Sequence, residues 1–412
     1  MTLTTDAPDS PVSPSGAAGG TGVGSFPVDP VAAATALGPL VAAHRDQMDA
    51  ERRLPRPVVD AMADIGILRA AVPLELGGPA FDPITQVRVV EELSRLDGSV
   101  GWCSMIASAG SYVAGFLEPE VARRWFAPHD ACLAGQLAPT GRAQLVPGGY
   151  RASGRFRFGS GSGHATVMIA GCLVYDGDEL VRTKSGRPQM RSMMFTPAEC
   201  TIIDTWHTTG LWGTGSNDYA IEDLFVAEEN SWDPAGRMRL SEPLYRYPPL
   251  FLVPHCGVPL GIARAAIDAL VDLAAGKDLY PGASRSGAGR TLQDDPAAQE
   301  ALAIAEAKLG AARAFTYDTV GQLWEQMQAG TQISTRSRAM YRTMMTWIHQ
   351  VAKEVIESMY DTGAGSAIYR GNPLERAMRD MLTGAQHRMV HPKIYRPAGR
   401  LLFGLESGDP MV

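Results

Sequence analysis

Residues 155–175 read "RFRFGSGSGHATVMIAGCLVY", and the class of the fold turns on the glycine-rich centre, Phe158–Ala165. As a nucleotide loop it would need a strand before it and a helix after it, whose first amides would hold a phosphate. Upstream, "YRASGRFRF" alternates, with Tyr150, Phe156 and Phe158 on one face and Arg151, Arg155 and Arg157 on the other, the period of a half-buried strand. Downstream, "ATVMIAGCLVY" is short, apolar and β-branched, which predicts a second strand rather than a helix. No Gly-Lys-Ser/Thr follows, so the loop sits between strands, and "VPGGY", Val146–Tyr150, is the turn of the hairpin before it. A plain turn accounts for the glycines. The two serine hydroxyls and the bare backbone also make a surface that a flat polar ring could approach closely.

Strand and turn patterns continue around this centre from Ala131 to about Asp233, through "SMMFTP", "TIIDTW" and "AIEDLFVAEE". Helical patterns flank it. Before it, Asp82-Pro83 opens a helix carrying Val87, Val90 and Leu93, and "GSVGWCSMIASAGSYVAGFL" has small residues on several faces, as in a helix buried among others. After it come "GIARAAIDALVDLAAG", a long run through "QLWEQM", "RAMYRTMMTWIHQVAKEVIESMY" and "PLERAMRDMLTGAQH". The expected organisation is α+β: a disordered tail 1–30, helices 31–130, a β domain 131–235, a helical bundle 236–400 and a tail 401–412. There is no internal repeat.

A net charge of -7 with both signs mixed, 45% hydrophobic and 20% charged residues, fits a globular protein and argues against nucleic acid or anionic membrane as partner. The first thirty residues, rich in Pro, Gly, Ser and Thr, lack the basic start and apolar core of a signal peptide, and no later run is expected to reach the length of a membrane helix. Five scattered cysteines without CxxC spacing predict a reducing, cytoplasmic setting. His387 and His391 are four apart, as in some metal sites, but no glutamate follows the first and Pro392 ends the pattern, so no metal is expected. Met340, Met344 and Met345 read as adaptable packing.

Four stretches, in this order and spacing, resemble the acyl-CoA dehydrogenase fold: "VPLELGGPAFD", "TWHTTGLWGTGSNDYAIEDLFVAEE", "GVPLGIARAAIDAL" and "NPLERAMRDMLTGAQH". The likeness runs from about Val31 to His391 and implies an N-terminal helical domain, a central β domain and a C-terminal four-helix bundle. The fold hosts two chemistries, so the site must decide between them. Where a dehydrogenase of this family places its catalytic glutamate the chain has Arg388, and the alternative position, in "PPLFLVPHC", offers no carboxylate either. A fixed cation cannot be that base. "FRFGSGSGHA" and "LTGAQH" instead resemble the flavin-dependent monooxygenase branch, and Leu-Ala-Pro in "GQLAPTGRAQLV" replaces the dehydrogenases' Thr-Glu-Pro.

That resemblance implies a two-component hydroxylase using reduced FMN or FAD from a separate NAD(P)H:flavin reductase, with O2 adding to the flavin as a C4a-hydroperoxide. The substrate would be a phenol or other electron-rich aromatic, with N-oxygenation of an amine next and a carrier-bound substrate left open. By resemblance Ser160 and Gly161 lie on the flavin ring with the Ser160 hydroxyl near N5, Phe158 beside them, and Leu137, Pro139 and Gly141 beneath. Arg285, or Arg290, would reach the flavin phosphate of a neighbouring subunit in a homotetramer, and Gly365 and Ser366 would approach the flavin. His387, with a pKa near neutrality, would be the general base or a proton donor. Trp102, Met105 and Tyr112 would line the substrate side. A dehydrogenase with a relocated base and a flavin-free scaffold are the other readings.

Overall fold

Capped starts set the N-terminal helices. The computed structural model describes residues 26–279, 291–409 and 411–412. Asp29, Asp82 and Asp97 each accept hydrogen bonds from the first amides of α1 (Pro30–Ala36), α5 (Pro83–Leu96) and α6 (Gly98–Ser111), reached through α2 (Gly38–Ala43), α3 (Arg45–Glu51) and α4 (Arg56–Asp64). Such a carboxylate satisfies otherwise orphaned N–H groups and complements the helix dipole. Val87, Val90 and Leu93 are fully buried, as the spacing predicts, and α7 (Pro119–Phe126) leads into the sheet.

The central strands are β1 (Leu133–Val146), β2 (Gly149–Gly159), β3 (Val167–Asp176), β4 (Glu179–Leu180), β5 (Met190–Phe195), β6 (Thr201–Ile203), β7 (Asn217–Ala227) and β8 (Ser231–Trp232). Their order is β6-β7-β2-β1-β3-β5-β8, with β4 on β3; β1 and β3 run parallel and the other pairs antiparallel. Alternation along the strands feeds two cores. Ala134, Phe156, Met168, Ala170 and Cys172 fill one face, while Leu133, Val167 and Ile169 pack with Val121 and Phe126 on the other. The strand after "VPGGY" departs from strict alternation: Tyr150 and Phe156 are buried, but Phe158 takes φ +60° and is 66% exposed. The β2–β7 register shifts between Phe156 and Gly159, and that irregularity turns the Phe158 side chain out of the face it was expected to share.

The C-terminal bundle packs α8 (Gly257–Gly276), α9 (Pro296–Gln328), α10 (Thr335–Gly363) and α11 (Pro373–Gly384), followed by α12 (Tyr395–Leu402). Three expectations need correction. Pro248–Gly276 forms 29 continuous helical residues, long and apolar enough to cross a membrane, yet 83% of its most apolar 18-residue window is buried inside the protein. Residues 26–30, expected in the loose tail, already pack on the protein, with the Phe26 ring 5.3 Å from the Arg69 guanidinium; residues 1–25 lie outside the described residues. The last residues are no loose tail either, because Arg338 donates to the Val412 carbonyl and Val412 packs with Ala339 and Ile394.

Candidate active site

The glycine-rich loop ends β2 as a tight turn. Ser160 N donates to the Phe158 carbonyl, Ser162 N to Gly159, and Gly161 N crosses to the Thr214 carbonyl at 2.9 Å. Gly161 has φ +79°, which an L side chain adopts only with strain, so the residue type is dictated by the turn. The loop is thus stitched to "LWGTGS" after β6, and two serines and a threonine are brought into one buried row.

The row has a fixed polarity. Trp102 Nε1 on α6 donates to Ser160 Oγ at 3.1 Å; Ser160 Oγ and Ser216 Oγ are 2.7 Å apart, as are Ser216 Oγ and Thr214 Oγ1; and Thr214 donates to the Leu211 carbonyl at 2.8 Å. Each hydroxyl has one hydrogen. Since that of Thr214 goes to Leu211, Ser216 must donate to Thr214 and Ser160 to Ser216. Ser160 Oγ is therefore left with acceptor capacity only.

Beyond Trp102 lies a group of imidazoles. Its indole meets the His387 ring edge-on at 5.6 Å and the His255 ring at 6.1 Å, and the two imidazoles are 4.8 Å apart. His387 Nδ1 accepts from Met389 N at 3.4 Å, which leaves the ring proton on Nε2. Its pKa does not lie near neutrality: burial, with the Arg342 charge second, pushes it down to about 4. Burial also holds His255 well below its ordinary value and His349 at about 4. Nor do His387 and His391 share a helical face, because α11 ends at Gly384 and both histidines cap short turns.

The other expected residues divide. Met105, one turn beyond Trp102 on α6, is fully buried in the core. Tyr112 follows Trp102 by ten residues, about 15 Å along a helix, and its hydroxyl accepts from Gln86 while its ring meets Tyr245 edge-on, so it is a core residue rather than a substrate contact. Leu137 is 36% exposed on the irregular stretch of β1, with Pro139 half-buried next to it. That stretch lies against the serine loop, since Arg157 N donates to Gln136 Oε1 at 2.8 Å. Gly141 instead faces the interior: a Cβ there would come within 2.7 Å of Cys172 Sγ and the Phe156 ring. It is a packing glycine. Gly365 is exposed with open space around it, and the Ser366 carbonyl accepts from Asn372. Arg285 and Arg290 lie outside the described residues.

Sequence reasoning passed over Ser216 and Thr214, although both stand in the quoted "WGTGS", and it searched "PPLFLVPHC" for a carboxylate while its histidine, His255, is the residue that reaches the site. It also missed Asp380, whose Oδ1 accepts from Leu211 N at 2.6 Å and so anchors the far end of the hydroxyl row. Burial, then the Asp97 charge, raises the Asp380 pKa to about 7.

A flavin fits these surroundings. The exposed Phe158 stands two residues before a buried hydroxyl oxygen able to accept an N–H in the glycine turn, and the exposed Leu137 follows Gln136, which Arg157 N joins to β2. Residues 33–129 match the acyl-CoA dehydrogenase N-terminal domain and residues 253–392 its C-terminal domain. The chain is 33% identical over 360 residues, 87% of its length and 89% of the relative, to an indole-3-acetate monooxygenase of Pseudomonas putida. It is 28% identical to the oxygenase component of an FADH2-dependent resorcinol hydroxylase of Rhizobium sp., covering 87% of this chain and 90% of the relative. The crystal structure of 3-HSA hydroxylase from Rhodococcus sp. RHA1 superposes with a TM-score of 0.83 at 25% identity, over 93% of this chain and 99% of that one. With no carboxylate where a dehydrogenase needs its base, and with these relatives, the chain belongs to the flavin-dependent monooxygenases built on the acyl-CoA dehydrogenase fold.

Proposed function

We propose that this protein is the oxygenase component that hydroxylates a small aromatic molecule, with Ser160 holding the reduced flavin and His387 facing the substrate. The observation that carries this is Trp102, whose indole N–H fixes Ser160 while its ring edge meets His387, so one residue sets the cofactor side and the substrate side relative to each other. Reduced flavin, when bound, activates dioxygen for transfer of one oxygen atom. In this chain Ser160 Oγ, a pure acceptor, would hold the N5 hydrogen in place. Leu137 and Phe158 would cover the ring and exclude water.

His387 is neutral above about pH 5 and carries its proton on Nε2, so its role here is that of a hydrogen-bond donor that orients a substrate oxygen or nitrogen. As a proton acceptor it becomes competent only if substrate binding raises its pKa. Indole-3-acetate, the compound named for the Pseudomonas putida relative, is the first substrate to assay, followed by resorcinol and simple phenols.

The reduced flavin would come from a separate NAD(P)H:flavin reductase. We further infer a homotetramer, supported by Val271, Ile304 and the Trp347 ring, all apolar and at least 36% exposed on α8, α9 and α10. Five unbridged cysteines support a reducing, cytoplasmic compartment. The test is anaerobic binding of reduced FMN and FAD, followed by oxygen addition with each aromatic and measurement of product formed per oxygen consumed. Oxygenated product supports the proposal. Tight binding of oxidised flavin with bleaching by an acyl-CoA would reject it for a dehydrogenase, and the absence of flavin binding would leave a scaffold.

A further inference from the structure

Next to the completed hydroxyl row, one face of α10 is left incomplete. Arg342, Thr346 and His349 stand at i, i+4 and i+7, and are therefore stacked on one side of the helix. They are 0%, 0% and 1% exposed. Each retains a polar atom with no partner among the described residues: Arg342 Nε, Thr346 Oγ1 and His349 Nε2. His255, 3% exposed and beside His387, adds a fourth, Nδ1.

The guanidinium is the most unusual member. Among the described residues its terminal nitrogens contact only neutral acceptors, Met345 Sδ at 3.2 Å and the Met389 carbonyl at 2.8 Å. The nearest carboxylate influence comes from Asp409, which acts at longer range than an ion pair. A buried cation without a counter-charge destabilises a fold, and buried polar atoms are normally satisfied, so four such atoms in one place are retained for something that binds there. A water molecule could satisfy a donor but would not balance the charge.

The chemistry of the missing partner follows from the donors. Arg342 Nε–H, the Thr346 hydroxyl and, with its hydrogen on Nδ1, His255 supply hydrogens, which calls for an acceptor-rich group; His349 gives its Nδ1 hydrogen to the Met345 carbonyl at 2.7 Å, so its Nε2 can only accept. The histidines are held neutral by burial, so Arg342 contributes the one formal charge. A monoanion balances it, and the Nε edge of a guanidinium matches the two oxygens of a carboxylate. Position matters as well: Met389, which takes the Arg342 Nη2 hydrogen, is two residues from His387, and His387 touches Trp102. An aromatic ring seated against the Trp102–His387 pair would therefore send a side arm towards α10.

We propose that the substrate is an aromatic carboxylic acid, whose carboxylate is seated by Arg342 with Thr346 and His255 beside it. This rests on the aromatic monooxygenase reading and deepens it. Two acid and amide pairs serve as probes, indole-3-acetate with indole-3-acetamide and phenylacetate with phenylacetamide. Calorimetry on the flavin-free protein gives the affinity ratio within each pair, and the product formed per oxygen consumed is measured separately with reduced flavin. In at least one pair the acid should bind about 100-fold tighter than the amide. Arg342→Met should bring that ratio to within about threefold, and Arg342→Lys, which keeps the charge without the fork, should fall between. The acid should also raise the melting temperature of the wild type and not that of Arg342→Met, whose own melting curve shows whether it is folded. Equal affinity for acid and amide in both pairs, or discrimination that survives Arg342→Met, overturns the inference. Oxygenation of uncharged aromatics without any preference for acids would remove the carboxylate seat alone. Acid preference without oxygenation of any aromatic would remove the monooxygenase role and leave an anion site.

Discussion

Two walls meet at Trp102 and His387, and they differ in how complete they are. On the sheet side every hydroxyl from Ser160 to Thr214 has a donor and an acceptor, and the row ends on a carbonyl next to an amide anchored by Asp380. On the bundle side Arg342, Thr346, His349 and His255 keep buried atoms without partners among the described residues. A satisfied network is rigid and can hold a cofactor edge in one orientation. An unsatisfied one stores a penalty of about 1–3 kcal/mol per group, which a ligand can release on binding. The difference suggests that the sheet side is organised in advance for an invariant partner, whereas the bundle side is adjusted to a particular molecule.

The largest effect should come where the walls join. His387→Ala should lower product formation about 10²-fold, the scale for loss of substrate orientation, with reduced-flavin binding retained. Loss of flavin binding instead would assign His387 to the sheet wall and blur the contrast. Next come Trp102→Phe and Ser160→Ala. Trp102→Phe removes the bond to Ser160, Ser160→Ala removes that bond and the one to Ser216, each bond is worth about 0.5–1.5 kcal/mol, and each variant should lower the yield of product per oxygen by about two- to tenfold. Because both remove the Trp102–Ser160 bond, the double variant should be little worse than Ser160→Ala alone; additive losses would show that the row does not act as a unit.

Stability should separate the walls by sign. Ser216→Ala strands two partners and should cost about 1–3 kcal/mol, whereas Thr346→Val removes a hydroxyl that has no partner and should stabilise the ligand-free protein by up to about 1 kcal/mol. Urea melts of both variants check this, and destabilisation by Thr346→Val would mean that its hydroxyl is satisfied in solution.

The smallest effect is the pH dependence. His164, His349 and His387 are pushed by burial from 6.5 to about 4, so the unfolded chain takes up protons that the folded chain refuses. Stability from these groups is present above pH 6.5 and falls as the pH drops towards 4. Asp380 acts with the opposite sign, since its pKa is raised to about 7 and its contribution is lost as the pH rises towards that value. Melting curves between pH 4.5 and 7.5 should therefore steepen in Asp380→Asn and flatten in His387→Gln. A steeper curve in His387→Gln would contradict the burial of that ring.

Much of the fold was legible because local rules suffice for it: the capping Asp82 before Pro83, the alternation around Phe156 and the "VPGGY" turn each act over a few residues. Ser160, Gly161 and His387 could be named from their motifs. What they touch could not, because Ser160 meets Trp102 across 58 positions and His255 meets His387 across still more. The exposed Phe158 and the core-packed Tyr112 show the same limit, since a register shift and a bond to Gln86 are tertiary events that periodicity does not encode. The shift of His387 to about 4 is also a property of its burial rather than of the residue.

The buried apolar stretch Pro248–Gly276 poses a problem during synthesis. It is covered partly by α5 and α6, which precede it, and partly by α9, α10 and α11, which follow it, so a nascent chain carries this largely apolar helical stretch with part of its cover missing until the next 87 residues, through Gly363, have been made. At roughly 5–20 residues per second this leaves an interval of about 4–17 s. During that time the segment has the length and hydropathy by which membrane-insertion machinery and holding chaperones select their clients. Yield on overexpression should therefore depend on the pace of translation through α9 and α10 and on chaperone supply, even for variants whose finished fold is fully stable.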